Sequence, residues 1–318
     1  MRLAVLLISC AVPATAQDFS LAMPVDCTLG TTCYLQNYVD HDPTDGATDF
    51  QCGDLTYDTH KGTDFGLPSL AAMNAGVDVL AAASGTVRGV RNDMRDVLYT
   101  ADLAEDIAGR DCGNGLVIAH EGGWETQYCH LKEGSVIVTT GQKVAVGDVL
   151  GEIGLSGRTQ FPHLQLSVRR NGQVIDPFDP DGQIACDAPS GDTLWDTPLN
   201  TPQGGLLSAG FAPDIPDYDA VKAGTAATRA LTSQDAIVLW TFGFGAQPGD
   251  TLTFSITNDA GELFASEVEL TRTQALFMRA GGRRAPDEGW PAGLYEGRID
   301  HVRNGTLLNS QTTSVTLR

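Results

Sequence analysis

The sequence is poor in positive charge. Its 318 residues include 20 Lys and Arg against 40 Asp and Glu, which gives a formal net charge of −20 at pH 7. Such a surface repels phosphate groups and anionic lipid head groups. We therefore expect neither nucleic acid nor an anionic membrane surface among the partners of this protein.

Long apolar runs are missing after the first residues. A membrane-spanning helix needs roughly 20 consecutive apolar residues, so we expect no transmembrane segment. The start of the chain is typical of a secretory signal peptide, with Arg2, an apolar stretch at 3–12 and the small residues 14–16. These features predict a periplasmic or secreted protein after cleavage near Ala16. The alternative is a lipoprotein anchored through Cys10.

The chain has no cysteine beyond residue 186. An even number of cysteines in an exported chain predicts three disulfides, for which fifteen pairings are possible. Beyond residue 190, packing alone must stabilise the fold. The six cysteines downstream of the signal are Cys27, Cys33, Cys52, Cys112, Cys129 and Cys186.

Glycine is abundant, at 36 residues, and glycine disfavours helices. Short apolar runs broken by turns predict an all-β protein with antiparallel sheets. We expect a disulfide-held N-terminal wrap at 17–54, outside the core, and a first domain at 55–190. Proline and glycine at 191–213 indicate a linker without regular structure, followed by a second domain at 214–318.

Alternation defines the clearest strands. Residues 116–120 and 125–131 flank a glycine-containing turn, which predicts a hairpin. Residues 251–257 alternate between apolar and polar side chains, and six or seven such strands beyond residue 213 predict an immunoglobulin-like β-sandwich. The acidic segment 91–111 is interpreted as a solvated loop, with a groove wall as the alternative.

Three histidines stand in contexts that can carry chemistry. His60 precedes Asp64 in an H-x-x-x-D motif, His130 ends a predicted strand, and His163 begins another. A lone histidine is usually an ordinary, partly buried residue. His41 and His120 are interpreted in that way, as structural or surface residues, and His301 as a strand residue without a chemical partner.

The order of the motifs resembles the lysostaphin-like, or LytM-type, peptidases over about residues 55–178. The resemblance implies a β-sheet domain that acts on peptidoglycan. The matching features, in order, are His60-x-x-x-Asp64, Val77-x-Val79-Leu80-Ala81, Gly113-Asn114-Gly115, Tyr128-x-His130-Leu131, Val144-x-x-Gly147-Asp148, Ile153-Gly154-x-Ser156-Gly157 and Pro162-His163.

The resemblance also implies a zinc ion with three protein ligands, of which His60 and Asp64 are two. His130 and His163 match the two histidines that handle protons and stabilise the oxyanion. The third ligand falls at position 165, where the family has histidine and this chain has Gln165.

Gln165 changes the chemistry expected of the site. Residues 163 and 165 project from one face of a strand, so the Gln165 side chain still points into the site. Its amide oxygen is a neutral, hard donor that suits calcium or magnesium, whereas catalytic zinc sites use His, Cys and carboxylate ligands. We therefore expect zinc binding to be weakened.

Two residues are candidates to complete the metal site. Cys129 is adjacent to His130 on a strand, so it is expected to face the opposite way and to form a disulfide. His163 can rotate onto the metal, which would leave His130 as the proton-handling histidine.

Three functions are consistent with these residues. The first is a zinc metalloendopeptidase that cleaves peptide cross-links of peptidoglycan. The second is a catalytically degenerate binding module that recruits or activates another cell-wall hydrolase. The third is a structural protein that uses its sandwich for protein contacts.

Overall fold

The computed structural model describes residues 19–184 and 192–318. The fold is nearly all β and its sheets are antiparallel in almost every pairing, as the sequence predicts. The predicted signal peptide, with Cys10 and Ala16, lies outside the described residues, as does Cys186. Across the two described ranges, no helix is long and apolar enough to cross a membrane.

The first part of the chain contains one short helix, α1 (Leu70–Asn74), and two 3-10 turns at Ala101–Leu103 and Glu121–Gly123. Its strands are β1 (Tyr34–Asn37), β2 (Thr63–Gly66), β3 (Asp78–Leu80), β4 (Gly85–Arg91), β5 (Asn114–Ala119), β6 (Trp124–Leu131), β7 (Lys143–Val144), β8 (Val149–Glu152), β9 (His163–Arg170) and β10 (Gln173–Ile175).

One sheet organises this part of the chain. Its strand order is β1-β2-β9-β6-β5-β4-β7, and β10 pairs with β9. Strands β3 and β8 form a separate pair, and their buried residues Val79 and Leu150 belong to one core cluster with Ile118 and Leu166 of the large sheet. The predicted hairpin of β5 and β6 is confirmed.

The N-terminal segment contributes to the core, contrary to the expectation of a wrap. Tyr34 and Leu35 are buried in β1, which pairs with β2. The apolar pair lies inside an Asp- and Thr-rich segment, so composition alone concealed the strand. Of the predicted disulfides, two link Cys27 to Cys33 and Cys112 to Cys129, and Cys52 is also disulfide-bonded.

The second part of the chain forms two sheets around one core. Helix α2 (Tyr218–Ala223) lies between its first two strands. The sheets have the orders β11-β13-β16 and β12-β18-β17-β14-β15. The strands are β11 (Gly205–Ala212), β12 (Ala230–Leu231), β13 (Ile237–Ala246), β14 (Thr251–Asn258), β15 (Gly261–Glu269), β16 (Gln274–Arg283), β17 (Gly293–Arg303) and β18 (Thr306–Leu317).

The alternation predicted for β14 is confirmed, because Leu252, Phe254 and Ile256 are fully buried between the two sheets. The predicted linker is wrong in one respect. Residues 205–212 form β11, which pairs with β13 along its length, because Leu206 and Phe211 supply core side chains that outweigh the neighbouring glycines. The immunoglobulin-like topology and the other domain limits stay predictions.

The two parts of the chain contact each other directly. The ring of Tyr34 in β1 lies 4.8 Å from that of Phe244 in β13. The Gln36 side-chain amide donates to the carbonyl of Ala275 in β16 at 3.1 Å. At the end of α2, Gly224 has φ of 79°, and a Cβ there would lie 2.7 Å from Ser69 Oγ. The contact is therefore made by β1, α1 and their immediate flanks.

Candidate metal centre

Strands β2 and β9 place the predicted site residues on one face of the sheet. Asp64 lies directly opposite Gln165 in the register. Leu164 and Leu166 alternate with these positions and are fully buried in the core. His163 and Gln165 therefore share the opposite face, as strand geometry predicts.

His60 and Asp64 form the floor of the site. The His60 Nδ1–H donates to the carbonyl of Tyr38 at 2.7 Å, which directs Nε2 toward Asp64. Asn37 donates to Asp64 Oδ2 at 3.0 Å. The His60 Nε2 and Asp64 Oδ1 atoms are 3.2 Å apart, yet both are buried without an aligned hydrogen-bond partner. The structure therefore leaves one nitrogen and one oxygen donor facing the same space.

Backbone carbonyls fix the same tautomer in His163 and His130, with the proton on Nδ1. The Nδ1–H of His163 donates to the carbonyl of Phe161 at 2.9 Å, and that of His130 donates to the carbonyl of Ser156 at 2.8 Å. This leaves Nε2 of each ring as the atom directed into the site, which is the arrangement found in metal-ligating histidines. His163 Nε2 lies 3.6 Å from Asp64 Oδ1, and the rings of His130 and His163 are 4.6 Å apart.

The backbone at His130 explains how this residue reaches the site. Its φ is 65°, a left-handed conformation that is uncommon outside glycine and concentrated at functional sites. The expectation that Cys129 faces away from the site is wrong, because Cys129 pairs with Gln165 in the register and so shares its face. The disulfide to Cys112 removes Cys129 from metal binding, as predicted.

Burial and neighbouring charges shift the pKa values of the site residues in different directions. Burial opposes ionisation of Asp64, but His60 and His163 hold the pKa of this carboxyl well below its usual range. Burial disfavours charge on His60 as well, although Asp64 raises its pKa overall. Burial and the neighbouring His163 lower the pKa of His130 to about 4. At neutral pH Asp64 is thus charged and His130 is neutral.

Two of the three predicted ligand positions suit zinc. Zinc donors lie about 2.0–2.2 Å from the ion in a tetrahedral site, so two of them are about 3.3 Å apart. The 3.2 Å between His60 Nε2 and Asp64 Oδ1 matches that spacing. Gln165 carries only a neutral amide, and its Nε2 lies 3.4 Å from Ser167 Oγ. Position 165 therefore does not fit zinc.

His163 is the available third donor. Within the described ranges, no three His, Cys, Asp or Glu side chains are assembled as a metal site. The 3.6 Å between His163 Nε2 and Asp64 Oδ1 is only slightly longer than the spacing between zinc donors. His163 Nε2 is therefore a candidate for the third ligand.

The candidate metal centre opens into a groove of about 780 Å³. Tyr99 and Asp111, from the acidic segment 91–111, line the groove, so this segment is a groove wall rather than only a solvated loop. Tyr57 stacks on His60 at 4.4 Å. Neither Tyr57 nor Asn37 was singled out from the sequence, since each stands outside any motif.

Two of the three remaining histidines, His41 and His120, lie outside the groove. His41 Nε2 is 2.8 Å from Asp176 Oδ2, and His120 donates to the carbonyl of Ser84 at 2.8 Å.

The family profile described as Peptidase family M23 matches residues 58–177. DD-carboxypeptidase/endopeptidase Mpg of Neisseria meningitidis is 29% identical over 122 residues, which cover 38% of this chain and 23% of that protein. Peptidoglycan DD-endopeptidase ShyA of Vibrio cholerae is 28% identical over 130 residues, covering 41% of this chain and 25% of that protein. The chain thus spans about a quarter of the length of these relatives.

Among solved structures, the catalytic domain of the M23 protein EnpA from Enterococcus faecalis aligns with a TM-score of 0.32 at 20% identity. The alignment covers 48% of this chain and 93% of that domain. The predicted resemblance to lysostaphin-like peptidases is confirmed, and residues 58–177 form a domain of peptidase family M23.

Proposed function

We propose that this chain is an exported metallopeptidase that cleaves peptide cross-links in peptidoglycan. The family domain supports a peptidase, and the relatives named as peptidoglycan endopeptidases support this substrate. The observation that carries the proposal is the pair of unpartnered, buried donors, His60 Nε2 and Asp64 Oδ1, at the floor of a groove. A buried carboxylate oxygen without a donor is unfavourable unless a cation compensates it.

The proposed ligand set is His60, Asp64 and His163, with His163 in place of the family's histidine at position 165. Zinc bound there would polarise the scissile carbonyl and lower the pKa of water. Backbone carbonyls hold both histidines with Nε2 toward Asp64. These bonds keep the donors oriented before any ion arrives.

His130 then handles the proton. It is neutral at pH 7, and the Ser156 carbonyl fixes its Nδ1–H, so Nε2 can accept a proton from the attacking water. A low pKa makes His130 a weak base that returns the proton readily to the leaving amine. With His163 recruited as a ligand, His130 is the histidine of the groove that carries this step.

The second candidate is a binding module that keeps the groove but not the chemistry and recruits or activates another wall hydrolase. Gln165 is the observation that favours it, because a neutral amide replaces the third family ligand. Both candidates place peptidoglycan peptide in the same groove. Metal affinity separates them.

The test is metal analysis of the purified, disulfide-bonded protein together with release of peptide fragments from peptidoglycan. We expect about one zinc per chain under zinc-buffered conditions, chelator-sensitive cleavage, and loss of both in His60→Ala. Gln165→His should raise zinc affinity by more than about 100-fold, because a ligand should matter more than the 10–100-fold of a neighbouring group.

Gln160→His is the matched control, since Gln160 is exposed and lines the groove but lies outside β2 and β9. It should leave zinc affinity unchanged. If the unmodified protein holds no zinc at any accessible concentration while Gln165→His does, the enzyme is excluded and the binding module stands.

A further inference from the structure

A second cavity continues the groove between the two parts of the chain. It has a volume of about 900 Å³, and its far wall includes Gln247 and residues 273–276 of the second part. A chain bound at the metal centre can therefore extend directly into it. The residues common to both cavities are Asn37, Tyr57, Tyr99, Gln160 and Phe161. We call this second cavity the interdomain cleft.

The walls of the interdomain cleft are fixed relative to each other. Gln36 is 1% exposed and joins β1 to β16 through the carbonyl of Ala275. The rings of Tyr34 and Phe244, 4.8 Å apart and tilted by 44°, make a second contact between the two parts. Preformed clefts at domain interfaces are common ligand sites.

The chemistry of the lining is neutral and rich in amides. Asp54 and Lys222 are the charged residues among those that line the cleft. Carboxamide side chains both donate and accept hydrogen bonds, and so complement the N–H and C=O groups of a peptide. The amide side chains of the lining are Gln36, Asn37, Gln160, Gln203, Gln247 and Gln274.

Two of these amides have unused acceptors. The Oε1 atoms of Gln36 and Gln203 are buried and have no hydrogen-bond partner. Their Nε2 atoms are already engaged, with Ala275 and Gln51 respectively. Both acceptors are enclosed by the protein. The amides of the lining that a bound chain can reach are therefore the exposed or half-buried ones, among them Gln160, Gln247 and Gln274.

We propose that the interdomain cleft binds the peptide of the substrate on one side of the scissile bond, and that the second domain is a wall of the substrate site. Gln160, Gln247 and Gln274 recognise successive peptide groups. Gln274 is suited to donate, because its Oε1 already accepts from Arg279 at 2.8 Å. This inference rests on the proposed function, since it requires that the groove takes peptidoglycan peptide.

The test fills the cleft with a bulky side chain, placed on the wall that the second domain forms. Thr273 is exposed and lines the cleft, whereas Thr271 is exposed and not part of the lining, so Thr273→Trp and Thr271→Trp form a matched pair. The probe is a soluble cross-linked peptide prepared from peptidoglycan without its sugars. Its binding to full-length, chelator-treated protein is measured by calorimetry, which makes the result independent of catalysis.

We expect Thr273→Trp to weaken binding at least about tenfold, since a steric block costs 1.4 kcal/mol or more, and Thr271→Trp to match the unmodified protein. Gln274→Ala should weaken binding about three- to tenfold, the effect of one hydrogen bond. With active protein, Thr273→Trp should raise KM and leave kcat unchanged.

Equal affinity of the two tryptophan variants would overturn the inference, even if the protein cleaves peptidoglycan. Preferential binding of peptide-free glycan strands in the cleft would overturn it as well. A protein that binds the peptide through the cleft but never cleaves it would retain the inference and exclude the enzyme.

Discussion

Each half of the chain contains a buried histidine next to a buried aspartate, and the two pairs differ in their surroundings. In the second half, Asp250 accepts from Arg303 Nε and Nη2 at 2.7 Å each, and from His301 Nε2 at 2.9 Å. Both oxygens of Asp250 are thereby satisfied. In the first half, Asp64 Oδ1 has no aligned donor, although His60 Nε2 is only 3.2 Å away.

The difference lies in what compensates the carboxylate. Arg303 neutralises Asp250 and also bonds the carbonyls of Gln203 and Gly245, so this cluster joins β17 to the turn after β13. No arginine or lysine forms an ion pair with Asp64 among the described residues. A paired carboxylate is part of the structure, whereas an incompletely compensated one is suited to a cation. The same two residue types therefore indicate opposite roles.

The largest expected effect is the difference in stability between two substitutions, Asp250→Asn and Asp64→Asn. Asp250→Asn removes the charge that compensates Arg303, so we expect it to destabilise the protein by about 3–5 kcal/mol. Asp64→Asn should cost less than Asp250→Asn in the presence of a chelator, because the partners of Asp64 are His60 and His163 rather than a permanently charged arginine. Urea denaturation of both variants measures the difference.

Stabilisation by added zinc tests the same comparison from the other side. Added zinc should stabilise the unmodified protein and have no effect on Asp64→Asn. Asp250→Asn should still respond to zinc, because its lesion is remote from the site. Equal destabilisation by the two substitutions would show that Asp64 is a structural residue like Asp250.

Low pH should act in part like Asp250→Asn, because protonation removes the same negative charge. Burial favours the neutral form of Asp250, but Arg303, the Gln247 amide and His301 lower its pKa below the usual value. A group with a depressed pKa stabilises the fold above its unfolded pKa, about 3.9, and loses that contribution as the pH falls through the folded pKa. The stability difference between the unmodified protein and Asp250→Asn should thus shrink below about pH 4.

Urea midpoints between pH 7 and pH 2.5 test this expectation. A difference that stays constant across that range would mean that Asp250 does not titrate with unfolding.

Periodicity was sufficient to predict much of the fold. The alternation at 251–257 and the hairpin around residue 122 each depend on contacts between near neighbours in sequence, which a local pattern records. Strands β1 and β11 escaped prediction because each lies in a segment whose composition is typical of loops. Their stability comes from partners far along the chain, β2 and β13.

The candidate site was likewise predicted only in part from the sequence. His60, Asp64, His130 and His163 come together as their motifs predict, since the family pattern records their positions. The direction of Cys129 could not be predicted, because the left-handed backbone of His130 breaks the strand alternation.

His301 was expected to have no chemical partner, and that expectation is wrong. Its partner, Asp250, is 51 residues away in sequence, on the other side of a strand pairing. No local pattern links the two residues.

A third pair, His41 and Asp176, should give the smallest effect and opposite pH dependence. Burial disfavours charge on His41, but the hydrogen bond to Asp176 and the charges of Asp176, Asp179 and Asp40 raise its pKa above 6.5. A group with a raised pKa stabilises the fold fully below its unfolded pKa and loses that contribution as the pH rises through the folded pKa.

His41→Gln keeps a neutral donor and removes the titration. We expect it to cost about 1 kcal/mol at pH 6, the scale of one hydrogen bond to a charged group at a partly exposed position, and progressively less as the pH approaches 9. Chemical denaturation of the unmodified protein and the variant at both pH values measures this trend. His41 is the cation of its cluster and three carboxylates favour its charged form, whereas Asp250 and Asp64 are anions stabilised by cationic neighbours, so the pH dependence has the opposite sign. A cost independent of pH would place His41 with the neutral hydrogen bonds and remove it from this series.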